Sequence, residues 1–446
     1  MSTAVMSLTE SDLKACVELA LQHARQLGAS EAEVGVSVDT GLSVTARMRE
    51  VETLEYHRDR GMGITVYRGK CKGSASTADL SAAAIRETVA KAYSIAGFTA
   101  EDPCAGLPDA ADLATNIPNL DLNHPWDIEP DAARDLAINC EAAALAVDAR
   151  ISNSEGATLS SHQGLRMFGN SLGFVAGYAS TSHSLSCSVV GQQDGDMQRD
   201  YWYSAVRDYR DLDSATSIGE RAAKRTLERL GARRLSTRVV PVLFVPELAR
   251  GLIGHFLGAI RGGSQYRRSS FLLDAAGQPV FPSWFNCVER PHILKALGSA
   301  PFDAEGVTTR DRTLVDKGVL TGYVLSTYSA RKLGLKTTGN AGGVHNLIVE
   351  SGKEDFSALL KRMGNGLVVT ELMGSGVNGI TGDYSRGAAG FWVENGTIQY
   401  PVHEITIAGN LKDMYQHLVA IGNDVDERGG VRTGSILLES MTVAGM

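Results

Sequence analysis

The chain has 446 residues, 43% of them hydrophobic and 21% charged, and 43 basic against 51 acidic side chains give it a formal charge of -8. That length exceeds one ordinary core and implies two or three domains, while the acidic balance disfavours a nucleic-acid partner held through phosphate contacts. No segment approaches the roughly 18 consecutive apolar residues of a membrane span, so no membrane partner is expected.

Residues 1–11 contain no Lys or Arg and only short apolar stretches, unlike a secretory leader, so the chain is expected to be cytoplasmic. Cys16, Cys71, Cys104, Cys140, Cys187 and Cys287 are scattered without a CxxC pair, as suits reduced thiols better than a disulfide frame or a Cys-rich zinc site.

In chain order, residues 9–27 predict an amphipathic helix, with Leu13, Cys16, Val17, Ala20, Ala24 and Leu27 at helical spacing and Gly28 as C-cap. Residues 34–67 alternate apolar and polar side chains, and Asp39-Thr40-Gly41 and Arg60-Gly61 read as hairpin turns. Residues 80–96 return to helix. Five of the 12 prolines then fall between 103 and 130, marking an ordered extended connection and a boundary. Residues 132–147 look helical, 151–207 look like several strands, and 214–230 look helical again, so the order helix, strands, helix occurs twice without matching residues. The apolar run Val239, Val240, Val242, Leu243, Phe244, Val245 predicts a buried strand opening a Gly-rich third region. The expected fold class is α+β: mainly antiparallel sheets with flanking helices, in domains 1–120, 121–235 and 236–446, the last a Gly-rich sheet or partial barrel.

Three short motifs mislead. Gly374-Ser375-Gly376-Val377-Asn378-Gly379 has the GxGxxG spacing, but the helix that would face a pyrophosphate is missing. Gly169-Asn170-Ser171-Leu172-Gly173 matches GxSxG, yet strand-like alternation follows Ser171 where a nucleophile elbow needs a helix, so Gly169-Asn170 is more simply a hairpin turn and His162 and His183 structural strand residues. His403-Glu404 begins like a zincin motif, but Ile407 and Ala408 follow where a second ligand belongs. A serine hydrolase is the weaker alternative these fragments leave.

Longer segments carry more information. Pro246-Glu247-Leu248-Ala249-Arg250-Gly251-Leu252-Ile253-Gly254-His255, with Ser264-Gln265-Tyr266-Arg267-Arg268, Ser326-Thr327-Tyr328-Ser329-Ala330-Arg331-Lys332 and Gly382-Asp383-Tyr384-Ser385-Arg386-Gly387, resembles the PmbA/TldD family over nearly the whole chain. In the family's catalytic subunit, a TldD-type chain, a helix carries His-Glu-x-x-x-His and a cysteine near the C-terminus completes a zinc site, with the glutamate as general base. On that pattern Arg250 takes the place of the first histidine, Gly251 that of the glutamate, His255 that of the second histidine, and Arg432 that of the cysteine. One ligand survives, so no metal is expected here. His255 shares a helical stripe with Leu248, Leu252 and Ala259 and reads as a hydrogen-bonded core histidine.

The resemblance therefore implies a non-catalytic, TldE-type subunit. No cofactor is expected in this chain, zinc is expected in the partner, and the pair, a heterodimer or higher oligomer, would cleave unfolded or modified peptides, as in peptide-antibiotic precursor processing or antitoxin degradation. The alternative is a self-associating peptide-binding or chaperone-like module without a peptidase partner; a homodimer of the isolated chain is compatible with either. The segment 382–391 offers a candidate peptide contact, with Asp383, Tyr384 and Arg386 among three glycines; its structural reading is a tight glycine-filled corner of the sheet.

Overall fold

The computed structural model describes residues 8–445. The stretch read above as lacking a leader lies, through residue 7, outside the described residues. Among the described residues no helix is long and apolar enough to cross a membrane.

The N-terminal half is one six-stranded antiparallel sheet. In it β1 (Glu31–Arg47), β2 (Glu50–Arg68), β3 (Cys71–Thr77), β4 (Ile151–Asn170), β5 (Val175–Gln193) and β6 (Asp196–Val206) run in the order β3-β2-β1-β4-β5-β6. The helices α1 (Glu10–Gln26), α2 (Ala82–Ala96), α3 (Pro130–Leu145) and α4 (Ala215–Glu228) pack on it. Thr9 and Asp12 form a capping box that starts α1. Each half of the sheet thus repeats helix, three strands, helix, arranged symmetrically about the β1–β4 pair.

Strand β1 shows why the regions before and after the Pro-rich connection are not separate in space. Its even-numbered residues all face one side; Ala32, Val34, Val36 and Val38 join the core under α1 and α2, and Leu42 and Val44 the core under α3 and α4. The two hairpin turns expected at 39–41 and 60–61 are absent, because β1 and β2 run straight through both sites. The reversal lies at Met48 and Arg49, whose φ values of 52° and 65° are left-handed. A remote carboxylate fixes it: Glu141 on α3, fully buried, accepts the Met48 and Arg49 amide protons at 2.8 and 2.7 Å. Gly41 serves packing instead of turning, since a Cβ there would lie 2.2 Å from His162 Nδ1.

The C-terminal half is built on β7 (Arg238–Phe244), the buried strand expected from its apolar run. It pairs with Gly366–Met373 on one side and Ile436–Ala444 on the other; Asp383–Glu394 and Thr397–Asn410 continue the sheet, and Thr397–Asn410 pairs back to Ile436–Ala444, closing a five-stranded barrel. The helix α5 (Pro246–Ile260) follows β7 and contributes Ala249, Leu252, Ile253, Phe256 and Leu257 to the largest core. A second, five-stranded sheet of short segments lies alongside. The Pro-rich connection is ordered and extended, as expected, and docks on the C-terminal half: Ala114 N–H donates to Gly306 O at 2.9 Å, and Asp102 accepts from the Tyr328 hydroxyl at 2.6 Å.

Candidate functional site: the helix after the buried strand and the cavity beside it

Helix α5 begins with Pro246 at its first position and Glu247 in its first turn, both favourable there, the proline because its missing N–H is not needed and the carboxylate through the helix dipole. One face is core. The opposite face carries Gly251, Gly254 and Gly258, exposed, with open space where a Cβ would stand.

Arg250 is tied into the seam between the two halves of the molecule. Its guanidinium donates to the Tyr203 hydroxyl at 3.0 Å and to Arg428 O at 3.4 Å, and lies 3.6 Å from Asp426 Oδ2. Asp426, with 5% of its side chain exposed, also binds Arg428 Nε at 2.9 Å, and Arg428 stacks over Trp202 and Tyr203 at 4.1 and 4.3 Å. Burial pushes the Asp426 carboxyl up, but the Arg428 hydrogen bonds and the charges of Arg428 and Arg250 outweigh it and hold it below the usual carboxylate range. Arg432 lies on the short strand Val431–Arg432 beside α5, its guanidinium 3.6 Å from Glu427. The side chains around α5 do not make a zinc donor set: Arg250 and Arg432 bring guanidiniums, Gly251 no side chain and His255 a single imidazole, and among the described residues no three His, Cys, Asp or Glu side chains gather as a metal site.

His255 is not the hydrogen-bonded core residue its stripe suggested. It is half-buried, meets Tyr384 edge to face with ring centroids 6.0 Å apart, and lines a cavity of about 490 Å³ together with Arg386, Gly254 and Gly258. Burial and the nearby positive charge of Arg386 both lower its pKa, favouring the neutral imidazole. The stripe holds for Leu252 and Ala259, both buried, but His255 stands at its edge beside Gly251, Gly254 and Gly258, which carry no side-chain atoms to cover it.

The candidate peptide contacts divide three ways. Asp383 is exposed but engaged by the Thr381 hydroxyl at 2.6 Å and Asn410 Nδ2 at 3.2 Å, both of which lower its pKa. Tyr384 is 2% exposed, too deep to present its ring to a ligand, and burial pushes its phenol up to about 12 against the opposing charge of Arg386. Arg386 alone reaches the cavity wall.

The short motifs are structural. Gly376 has no room for a side chain, since a Cβ would stand 2.0 Å from Ser385 O. Ser171 lies in the β4–β5 hairpin and its hydroxyl accepts the Ala32 amide proton at 3.0 Å. His183 is buried between Ser161 Oγ at 2.9 Å and the His124 carbonyl at 3.0 Å. Glu404 pairs with Arg234 across the seam.

Residues 32–96, 123–230 and 237–445 match, in turn, domain 1, the central domain and the C-terminal domain of the PmbA/TldA metallopeptidases. The chain is 52% identical over 444 residues to metalloprotease PmbA of Escherichia coli O157:H7, covering 99% of this chain and 98% of that protein. It is 49% identical to the PmbA homologue of Haemophilus influenzae, over 100% and 98% of the two chains. A crystal structure from Bacteroides thetaiotaomicron described as a proposed modulator of DNA gyrase superposes with a TM-score of 0.93 at 27% identity, over 98% of this chain and 100% of that one. TldE of Thermococcus kodakarensis shares the fold, with a TM-score of 0.82 at 20% identity over 96% and 100%. With all three domains matched in order and half of the residues identical to metalloprotease PmbA over the full chain, the chain belongs to the PmbA/TldD metallopeptidase family and is of the PmbA/TldE type.

Proposed function

We propose that this chain is the metal-free subunit of a cytoplasmic two-chain zinc peptidase that cleaves unfolded or modified peptides, in which a TldD-like partner carries the zinc and the general base. The observation that carries the reading is the place of Arg250: where the catalytic pattern has a zinc-binding histidine, this helix has a cation saturated by Tyr203, Asp426 and Arg428 O. A divalent ion brought there would meet the fixed positive charge of Arg250 with His255 as its one neutral ligand. Arg250, with Arg428 beside it, holds the N-terminal sheet to the C-terminal half through Tyr203. Such a chain contributes surface and stability to an assembly, and the chemistry belongs elsewhere.

Co-expression with a TldD-like chain bearing an intact His-Glu-x-x-x-His motif tests this. The two are expected to elute together at micromolar concentration and to cleave an unstructured peptide that neither chain cleaves at that rate alone. Separate elution at matched expression refutes the partnership.

A further inference from the structure

We infer that the cavity between the glycine face of α5 and Arg386 is a binding site for the C-terminal carboxylate of a peptide. The inference rests on the peptide-handling reading above and adds what this chain itself holds.

The lining carries one fixed cation and no carboxylate: Arg386 stands with His255 among Gly254, Gly258, Gly374 and Gly379, serine hydroxyls and the apolar side chains of Phe271, Val377 and Leu411. Arg386 Nε and the Tyr384 hydroxyl are both buried and have only each other as polar neighbours short of good hydrogen-bond geometry, and the neutral phenol leaves the guanidinium's charge unbalanced. An anion bound to the cavity face of the guanidinium would supply the negative charge that the lining lacks. The nearest opposing field is the C-terminal end of α5. Its carbonyls are occupied: Ser264 Oγ donates to Gly258 O at 2.8 Å, and Gln265 Nε2 and Ser270 Oγ donate to Ala259 O at 2.7 and 2.8 Å. The one fixed charge of the lining is the Arg386 guanidinium, and a single positive charge suits a monoanionic carboxylate better than a dianionic phosphate.

Shape points the same way. About 490 Å³ lies within the range of sites for organic ligands and far exceeds the roughly 30 Å³ of a water-sized ion, so the anion arrives attached to a chain. Without Cβ atoms at Gly254 and Gly258, a peptide main chain can lie against the helix while its last side chains meet Phe271, Val377 and Leu411. The chain end binds through its charge and backbone, which leaves the sequence of the peptide largely unread.

The test is calorimetry on the isolated full-length chain with N-acetyl-Ala-Ala-Ala-Leu as the free acid and as the amide. The acid is expected to bind about tenfold or more tightly than the amide, the range set by one charge-assisted contact. Arg386→Met should abolish that difference. Gly258→Leu, which enters open space and leaves the cation untouched, should weaken the acid form about tenfold with the melting temperature unchanged or raised. Equal affinity for acid and amide overturns the inference, as does a preference for the acid that survives Arg386→Met. An amidated peptide with an internal Asp that binds as tightly as the acid overturns the chain-end assignment, and inorganic phosphate that displaces the acid at equal concentration overturns the peptide. If Arg386→Met fails to fold, Gly258→Leu decides. Pairing with a TldD-like chain is scored separately by co-elution, so loss of discrimination with pairing intact refutes this inference alone.

Discussion

Replacing Asp426 by Ala should destabilise the seam that engages Arg250. Asp426 accepts the Arg428 amide proton at 3.0 Å and Arg428 Nε and Nη2 at 2.9 and 3.2 Å, and faces Arg250 Nη1 at 3.6 Å. Removing one member of a buried ion pair costs about 3–5 kcal/mol, because the other charge is left without compensation. Here the cost is smaller: Arg428 keeps Glu247 at 3.5 Å, the Tyr203 carbonyl at 2.7 Å and its stacking on Trp202, and Arg250 keeps the Tyr203 hydroxyl. We expect about 2–3 kcal/mol, a fall in melting temperature of about 4–12 °C if the C-terminal half, residues 237–445, unfolds as the unit. Differential scanning calorimetry measures it, and the fluorescence of Trp202 reports the seam directly. Asp426→Asn, which keeps the shape but loses the charge, should lie between Ala and the parent. A fall of less than about 0.5 kcal/mol with Ala would mean that the salt-bridge knot does not hold this helix in place, and the structural account of Arg250 would fail.

Glu141→Ala should cost about 3 kcal/mol by calorimetry, since two hydrogen bonds to a buried carboxylate are lost, and Asn and Gly at positions 48 and 49 should restore about 1 kcal/mol of it by suiting the left-handed turn. Burial raises the Asp303 pKa to about 7 against the opposing N–H donors of Ala341, Val307 and Glu305. Its folded form therefore favours the proton: the associated stability is fully present below about pH 4 and is lost as pH rises through about 7, and Asp303→Asn should flatten the stability profile across that window. Gly254→Ala, at an exposed helix interior with nothing within 4 Å of the new Cβ, should raise stability by about 0.5–1 kcal/mol; a loss of that size would mean that the space beside α5 is filled by the chain itself.

Elements whose burial follows from their own periodicity were legible in the sequence. Helix α1, with its capping box at Thr9, the buried strand β7, and the Pro-rich connection all stand where spacing and composition put them. The β1–β2 turn was not legible, because its chemistry comes from Glu141, distant in the chain, while the local Asp39-Thr40-Gly41 signal reflects the room His162 needs beside Gly41. In the site, the proposed loss of two ligands and the base, at Arg250, Arg432 and Gly251, follows from the family resemblance of the sequence. The cavity did not follow from order: it forms where the glycines of α5 meet Arg386, a side chain on a strand more than a hundred residues later. The signal that could have found it was the helical spacing of Gly251, Gly254 and Gly258, an uncovered stripe on an otherwise apolar helix.

The most direct measurement is metal analysis of the complex co-purified with a TldD-like chain, with each subunit mutated in turn. The account predicts about one zinc per pair, lost together with peptidase activity when the partner's first motif histidine is changed and retained when His255 of this chain is changed to Ala. About one zinc bound by this chain alone after dialysis, removed together with peptide cleavage by His255→Ala, would contradict it.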